Sequence, residues 1–266
     1  MSLAPPEGLG ENHQHRGLIG VDMPDPRGQH LPVSATSDAV LDNAVWHALS
    51  TRHEGFAEGT GRARRYPSDL SVFGGVDVLD DGGWAALAEL LGPGGGTVLF
   101  GPSVAEPPRG WRAAHRIHGN QFVVRSLVEL DTDGAPPIVE LGKDDAERML
   151  ALATLTRPGP FALRTHELGQ FVGVYEDGEL VAMAGERLQP AGYTEVSAVC
   201  THPSARGRGL AAVLTHHIAA GIQARGDVPF LHVAEGNDGA RRVYERLGFT
   251  LRTPVEFVVV VNEESS

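Results

Sequence analysis

The chain is poor in the features that would place it outside the ordinary folded, water-soluble class. Its 266 residues contain one cysteine, Cys200, so no intrachain disulfide can form, which fits a reducing compartment. No run of 18 or more apolar residues occurs, so no spanning helix is expected. The start of the chain lacks the basic-then-apolar order of a signal peptide; together these absences give an expectation of a soluble, cytoplasmic protein. Basic residues are also in deficit, 22 Lys and Arg against 34 Asp and Glu. A net charge of −12 argues against a nucleic-acid partner and would sooner attract a cationic small molecule. Hydrophobic residues at 41% are enough for a sizeable core.

Residues 1–37 are rich in Gly, Pro, His and Asp without apolar periodicity and read as a flexible arm. His13 and His15 have no partner cluster, so no metal site is expected there or elsewhere. Residues 38–130 form a first half. Asp38 is placed as the N-cap of a helix through Leu49, strand-like pieces follow at 61–66 and 71–78, and Trp84 to Leu91 have helical spacing. Strands are expected at 97–100 and 111–129. The run Gly92-Pro93-Gly94-Gly95-Gly96 superficially suggests a phosphate loop. Such a cradle needs a strand before the glycines and a helix after them; here the order is reversed, so the run is a helix stop and turn. Residues 131–137 read as a linker.

The remainder, 138–266, alternates more sharply. A helix is expected at 144–155 and a hairpin at 171–185, turned at Asp177-Gly178. A strand at 193–201, a helix at 209–225, a strand at 230–234, a helix at 238–247 and a strand at 250–260 follow. This order gives a mixed α/β (α+β) sheet rather than a regularly alternating doubly wound one.

One segment carries chemistry. After the strand ending at Thr201 comes Arg206-Gly207-Arg208-Gly209-Leu210-Ala211, and then a helix. Here the strand–glycine–helix order suits an anion. Glycines let the backbone approach a ligand, the first helical N–H groups point outward, and the dipole adds positive potential. A pyrophosphate fits this arrangement.

The segment resembles the Arg/Gln-x-x-Gly-x-Gly/Ala signature of the GNAT superfamily of N-acetyltransferases, through Arg206, Gly209 and Ala211. Downstream, Asn237, Ala240, Tyr244, Gly248 and Phe249 are similar to the family's Asn-x-x-Ala-x-x-x-Tyr-x-x-x-Gly-Phe ending. The resemblance covers about 138–260. It implies a GNAT-like fold there and acetyl-CoA as co-substrate, with direct transfer to a primary amine of a small molecule or peptide. By the same resemblance, main-chain groups of Val199, Cys200 and Thr201 would hold the pantetheine arm. The amides of Gly207, Arg208, Gly209, Leu210 and Ala211 would hold the diphosphate, and Asn237 would touch the cofactor. Tyr244 would protonate the departing thiolate.

An amine must lose a proton before it attacks, and two residues compete as base. Glu195 stands eleven positions before Arg206, and His232 five before Asn237, offsets used by different family members. A water-relayed proton is the third possibility. Strand alternation puts Glu195, Ser197 and Val199 on one face. Nothing nearby marks Cys200 as an activated nucleophile. The first half has no such signature and reads as a degenerate acetyltransferase-like subdomain shaping the acceptor cleft. Acceptor-side loops are expected at Arg157–Glu167 and near Glu186–Gly192, where Phe161, His166 and Glu186 are candidates. A non-catalytic acyl-CoA sensor and a transferase for longer acyl chains, the latter considered at Ala182 and Ala198, are the alternatives.

Overall fold

The computed structural model describes residues 38–263; the expectations for 1–37 and for the last three residues lie outside them. A 3-10 helix (Asp38–Asn43) leads into α1 (Ala44–Leu49). The expected single helix is therefore split, and Asp38 does not cap it. Its carboxylate instead accepts from Arg125 Nη2 at 2.6 Å and from the Tyr193 hydroxyl. A small hairpin of β1 (Ala63–Arg65) and β2 (Gly74–Val76) follows, then α2 (Asp81–Leu91), capped by Asp80 Oδ1 on the Gly83 amide. Gly92 ends that helix in the left-handed region, as expected of the glycine run. Next come β3 (Gly96–Gly101) and β4 (Trp111–Val123); the latter stops six residues short of its expected end.

An edge strand not anticipated from the sequence, β5 (Val139–Leu141), follows residues 131–137. Three residues are too few to show alternation. Then come α3 (Ala146–Thr156), β6 (Phe171–Glu176), β7 (Glu179–Glu186), β8 (Tyr193–Thr201), α4 (Leu210–Ala224), β9 (Val228–Ala234), α5 (Asp238–Arg246) and β10 (Thr250–Asn262). Eight strands form one mixed sheet in the order β3-β10-β4-β9-β8-β7-β6-β5. β3 and β4, from the first half, flank β10, the last strand of the second. Both halves thus enter one sheet, and residues 131–137 carry the chain from β4 to its far edge.

The single parallel pair among these strands is β8 with β9. It covers only Tyr193↔Val228, Thr194↔Pro229 and Glu195↔Phe230, after which the strands part. On one face, α4 buries Leu210, Leu214, Ile218 and Ile222, four apart and so on one side of the helix, against Val172, Ala182, Ala184, Val196 and Leu231. The opposite face is covered by α3 near β7 and by residues 41–73 near β9 and β10.

β8 carries a bulge. Ala184 of β7 sits opposite two residues, Ala198 and Val199, and Ala198 has φ +53°. The bulge overturns the simple alternation expected from the sequence. Val199 packs with Val196 on the α4 face, whereas Glu195 points to the other. A non-glycine residue in this region costs roughly 1–3 kcal/mol, and a β-branched one more. Ala198→Val is therefore expected to lower stability by about 1–3 kcal/mol while Ala198→Gly stays within about 1 kcal/mol of the parent. Equal denaturation midpoints for the two variants would contradict the bulge.

Candidate active site

Beyond Glu195↔Phe230 the parting strands open a cleft of 720 Å³. Its lining includes Val199, Cys200 and Thr201 from the end of β8, and Arg206, Gly207, Gly209, Leu210 and Ala211 at the start of α4. Asn237 and Tyr244 from α5 complete it. The structure thus brings together nine of the ten residues expected to hold a cofactor, and the expected proton donor. The tenth, Arg208, is turned away. Its guanidinium pairs with Glu176 at 2.5 and 2.8 Å, so only its amide remains for a ligand.

Local backbone shape explains the opening. Gly207 and Gly209 both have φ +79°, and a Cβ at either would meet nothing within 4 Å. The side of each glycine is open space rather than packed core. Gly209 offers α4 no side-chain cap, and among the described residues the amides of Gly207 to Ala211 have no hydrogen-bond partner. Five amides without a partner at a helix start, with the dipole behind them, have the chemistry of an anion cradle. The Thr201 hydroxyl is buried without a partner at the adjoining strand end. A buried hydroxyl left unsatisfied is costly, and this one stands where a ligand in the cleft could bond to it. Asn237 caps α5 with Oδ1 on the Ala240 amide at 3.2 Å, which leaves its Nδ2 without a partner among the described residues. These features fit a coenzyme bearing a diphosphate and an amide-rich arm.

Tyr244 is 8% exposed. Burial, with a smaller effect of Cys200, holds its phenol above the ordinary value, so it stays protonated at neutral pH. Burial also pushes the Cys200 thiol up to about 11. A neutral thiol is a poor nucleophile, consistent with the reading of Cys200 as no nucleophile.

Glu195 and His232, competitors in the sequence, are partners in the structure: His232 Nδ1 lies 2.7 Å from Glu195 Oε1. Arg187 donates to both carboxylate oxygens, Nε to Oε2 at 2.8 Å and Nη2 to Oε1 at 2.6 Å. Gln121 Nε2 lies 3.0 Å from His232 Nε2, and Gln121 Oε1 accepts from Arg252. Donation by Gln121 to Nε2 fixes the proton of a neutral ring on Nδ1, facing Glu195. Phe100, Phe230 and Phe257 surround the imidazole edge-on at 4.9–5.7 Å. Burial works to raise the Glu195 carboxyl, but the Arg187 charge and the bonds from Arg187 and His232 overcome it. They hold the carboxyl well below the ordinary carboxylate range. Neither side chain lines the cleft.

Of the acceptor-side candidates, Phe161 packs on Phe171, His166 bonds to the Leu163 carbonyl, and Glu186 is buried with Arg225 and Gln170. His216 and His217 border a separate groove on the far side of α4. Sequence reasoning missed Arg157 and Arg246, which line the cleft, and Arg187 and Gln121, which complete the buried network. Arg246 stands two residues after Tyr244 inside a motif already singled out, and so could have been found. The other three carry no local signal.

A family model described as FR47-like protein matches residues 171–258. A solved structure of a GNAT-family protein from Novosphingobium aromaticivorans DSM 12444, assigned as an acetyltransferase, is 39% identical. That match covers 85% of this chain and 99% of the other, with a TM-score of 0.76. A GCN5-related N-acetyltransferase from Kribbella flavida is 18% identical over 84% of this chain and 96% of its own, with a TM-score of 0.54, a likeness of fold. No curated protein matches the chain by sequence.

Removing Glu195 leaves the Arg187 guanidinium, on a residue 8% exposed, without its counter-charge. Glu195→Ala is expected to cost about 3–5 kcal/mol, read by chemical denaturation. The depressed carboxyl also sets a pH dependence. Its contribution is complete above the ordinary value of 4.5 and is lost as pH falls through the lower folded value. A parent protein whose acid unfolding matches that of Glu195→Gln would contradict this assignment.

Proposed function

The chain belongs to the GNAT family of acetyltransferases, and from that premise we propose that it transfers the acetyl group of acetyl-CoA directly to a primary amine of a small molecule or peptide. The observation that carries this reading is the cleft itself. An uncapped helix start with bare amides, a strand end and a protonated tyrosine all border one opening between parting strands.

Acetyl-CoA would supply an activated thioester. The amides of Gly207 to Ala211 would hold its diphosphate by charge-assisted hydrogen bonds, together with the potential of the α4 dipole. The end of β8 and the Thr201 hydroxyl would fix the arm, and Asn237 Nδ2 would donate to it. Tyr244, kept neutral by burial, would give its proton to the leaving sulfur. A phenol that ionised near neutrality could not hold that proton at working pH.

We assign Glu195 and His232 to positioning rather than to proton abstraction. Every ring nitrogen and carboxylate oxygen of the pair is already engaged, and the pair bridges β8 and β9 beside the last residues that are joined. The acceptor ammonium, whose ordinary pKa is about 10 for a lysine-like amine, then loses its proton to water at the cleft.

Tyr244→Phe is expected to lower kcat by about a hundredfold with little change in coenzyme affinity. Thiol release across a panel of amines, with calorimetry for binding, checks this; an unchanged kcat would remove Tyr244 from the chemistry. Tight coenzyme binding with no turnover on any amine would instead favour a sensor. Gly209→Val places a β-branched residue at φ +79° and a side chain in the cradle. Coenzyme affinity should fall at least tenfold while the protein stays folded. Unaltered affinity would count against the loop.

A further inference from the structure

We infer that Arg157 and Arg246 form a second anion subsite in the cleft, and that it takes the phosphomonoester of 3′-phosphorylated coenzyme A. The inference rests on reading the cleft as a coenzyme site and adds to it what the cleft selects. Of 19 described arginines, 13 have a carboxylate within 4.0 Å. Three of the other six, Arg157, Arg206 and Arg246, line this one cleft. They come from three places: the C-cap of α3, the loop before α4 and the end of α5. Among the described residues no Asp or Glu lines the cleft, although acidic residues outnumber basic ones by 34 to 22 along the chain.

Like charges gathered in one cleft repel, and most of the other described guanidinium groups, 13 of the remaining 16, have a carboxylate within 4.0 Å. Three without a carboxylate partner around one opening make a positive field that an anion would satisfy. The diphosphate has a sufficient cradle in the α4 amides and Arg206, which lies at the same loop with Nε 3.4 Å from the Thr201 carbonyl. Arg157 and Arg246 belong to other elements and are surplus to that need. Coenzyme A carries one further anionic group, the dianionic monoester on its ribose, and guanidinium forks suit phosphate oxygens. A carboxylate on the acceptor would offer related chemistry, so the test separates the two.

Calorimetry on the full chain, without acceptor, compares coenzyme A with its 3′-dephospho form. The parent should bind the dephospho form at least tenfold more weakly. Arg157→Ala and Arg246→Ala should each lose about tenfold for coenzyme A and under twofold for the dephospho form, with Lys restoring part of the loss. Arg206→Ala should weaken both ligands alike. Equal parent affinities for the two ligands overturn the proposal, as does an equal loss for both in the Arg157 and Arg246 variants. Variants that keep coenzyme affinity but raise KM for a carboxylate-bearing amine over its amide assign the arginines to the acceptor and also overturn it. A parent that binds neither ligand sinks the coenzyme reading itself.

Discussion

The site depends on two strands that are joined for three residues and then separate. A parallel pair normally continues its evenly spaced hydrogen bonds to the end of the shorter strand. Here β8 and β9 stop pairing at Glu195↔Phe230 although both run on, to Thr201 and Ala234. Exposed ladder groups beyond that point are an expense that a folded chain keeps only where something else uses them. Two devices hold the arrangement. The buried Arg187–Glu195–His232 chain ties β8 to β9 beside the last joined pair, and Arg187 and Leu188 also bond to the main chain of Glu195. The bulge at Ala198 then re-aims the rest of β8. Clamp and bulge together convert a continuous sheet into a sheet with a slot.

The clamp accounts for residues that look catalytic in the sequence. A glutamate and a histidine on neighbouring strands invite assignment as an acid–base pair. Yet a carboxylate held by a bidentate guanidinium and a ring held between a carboxylate and an amide have no free atom to offer. Buried ion pairs contribute modestly to net stability, but breaking one is costly, and their geometry is specific. Specific geometry is what the start of a slot requires. The three phenylalanines around His232 keep water from the network and strengthen its electrostatics.

The sequence made the second half legible because its elements are long and its punctuation strong. The hairpin at Asp177-Gly178, the helix after Gly209 and the helix after Asn237 each carry a local chemical reason. The cleft was legible for the same reason: its core is a continuous segment, 199–211, plus one helix. What escaped was set by contacts distant in sequence. β5 is three residues long and exists because β6 offers an edge. The network joins Gln121, Arg187, Glu195 and His232, separated by up to 111 positions. The bulge at Ala198 has no glycine to announce it, and without it simple alternation put Val199 on the wrong face. β3 and β4 lie on either side of β10, a placement that no periodicity within the first half encodes.

Charge sets the slot apart from the rest of the surface. Taken whole, the chain is acidic, and a reading from net charge alone suggests a cationic ligand. Net charge, however, is a property of the far field, screened within about 8 Å at physiological ionic strength. Inside the cleft the balance is reversed: the ionisable lining is arginine, tyrosine and cysteine, with the last two neutral at pH 7. The pairing of most other arginines with carboxylates cancels their fields and leaves this one uncancelled. An anion inside the slot would meet arginine at short range, whatever the sign of the chain as a whole. The positive potential of this protein therefore belongs to the cleft and not to the surface as a whole.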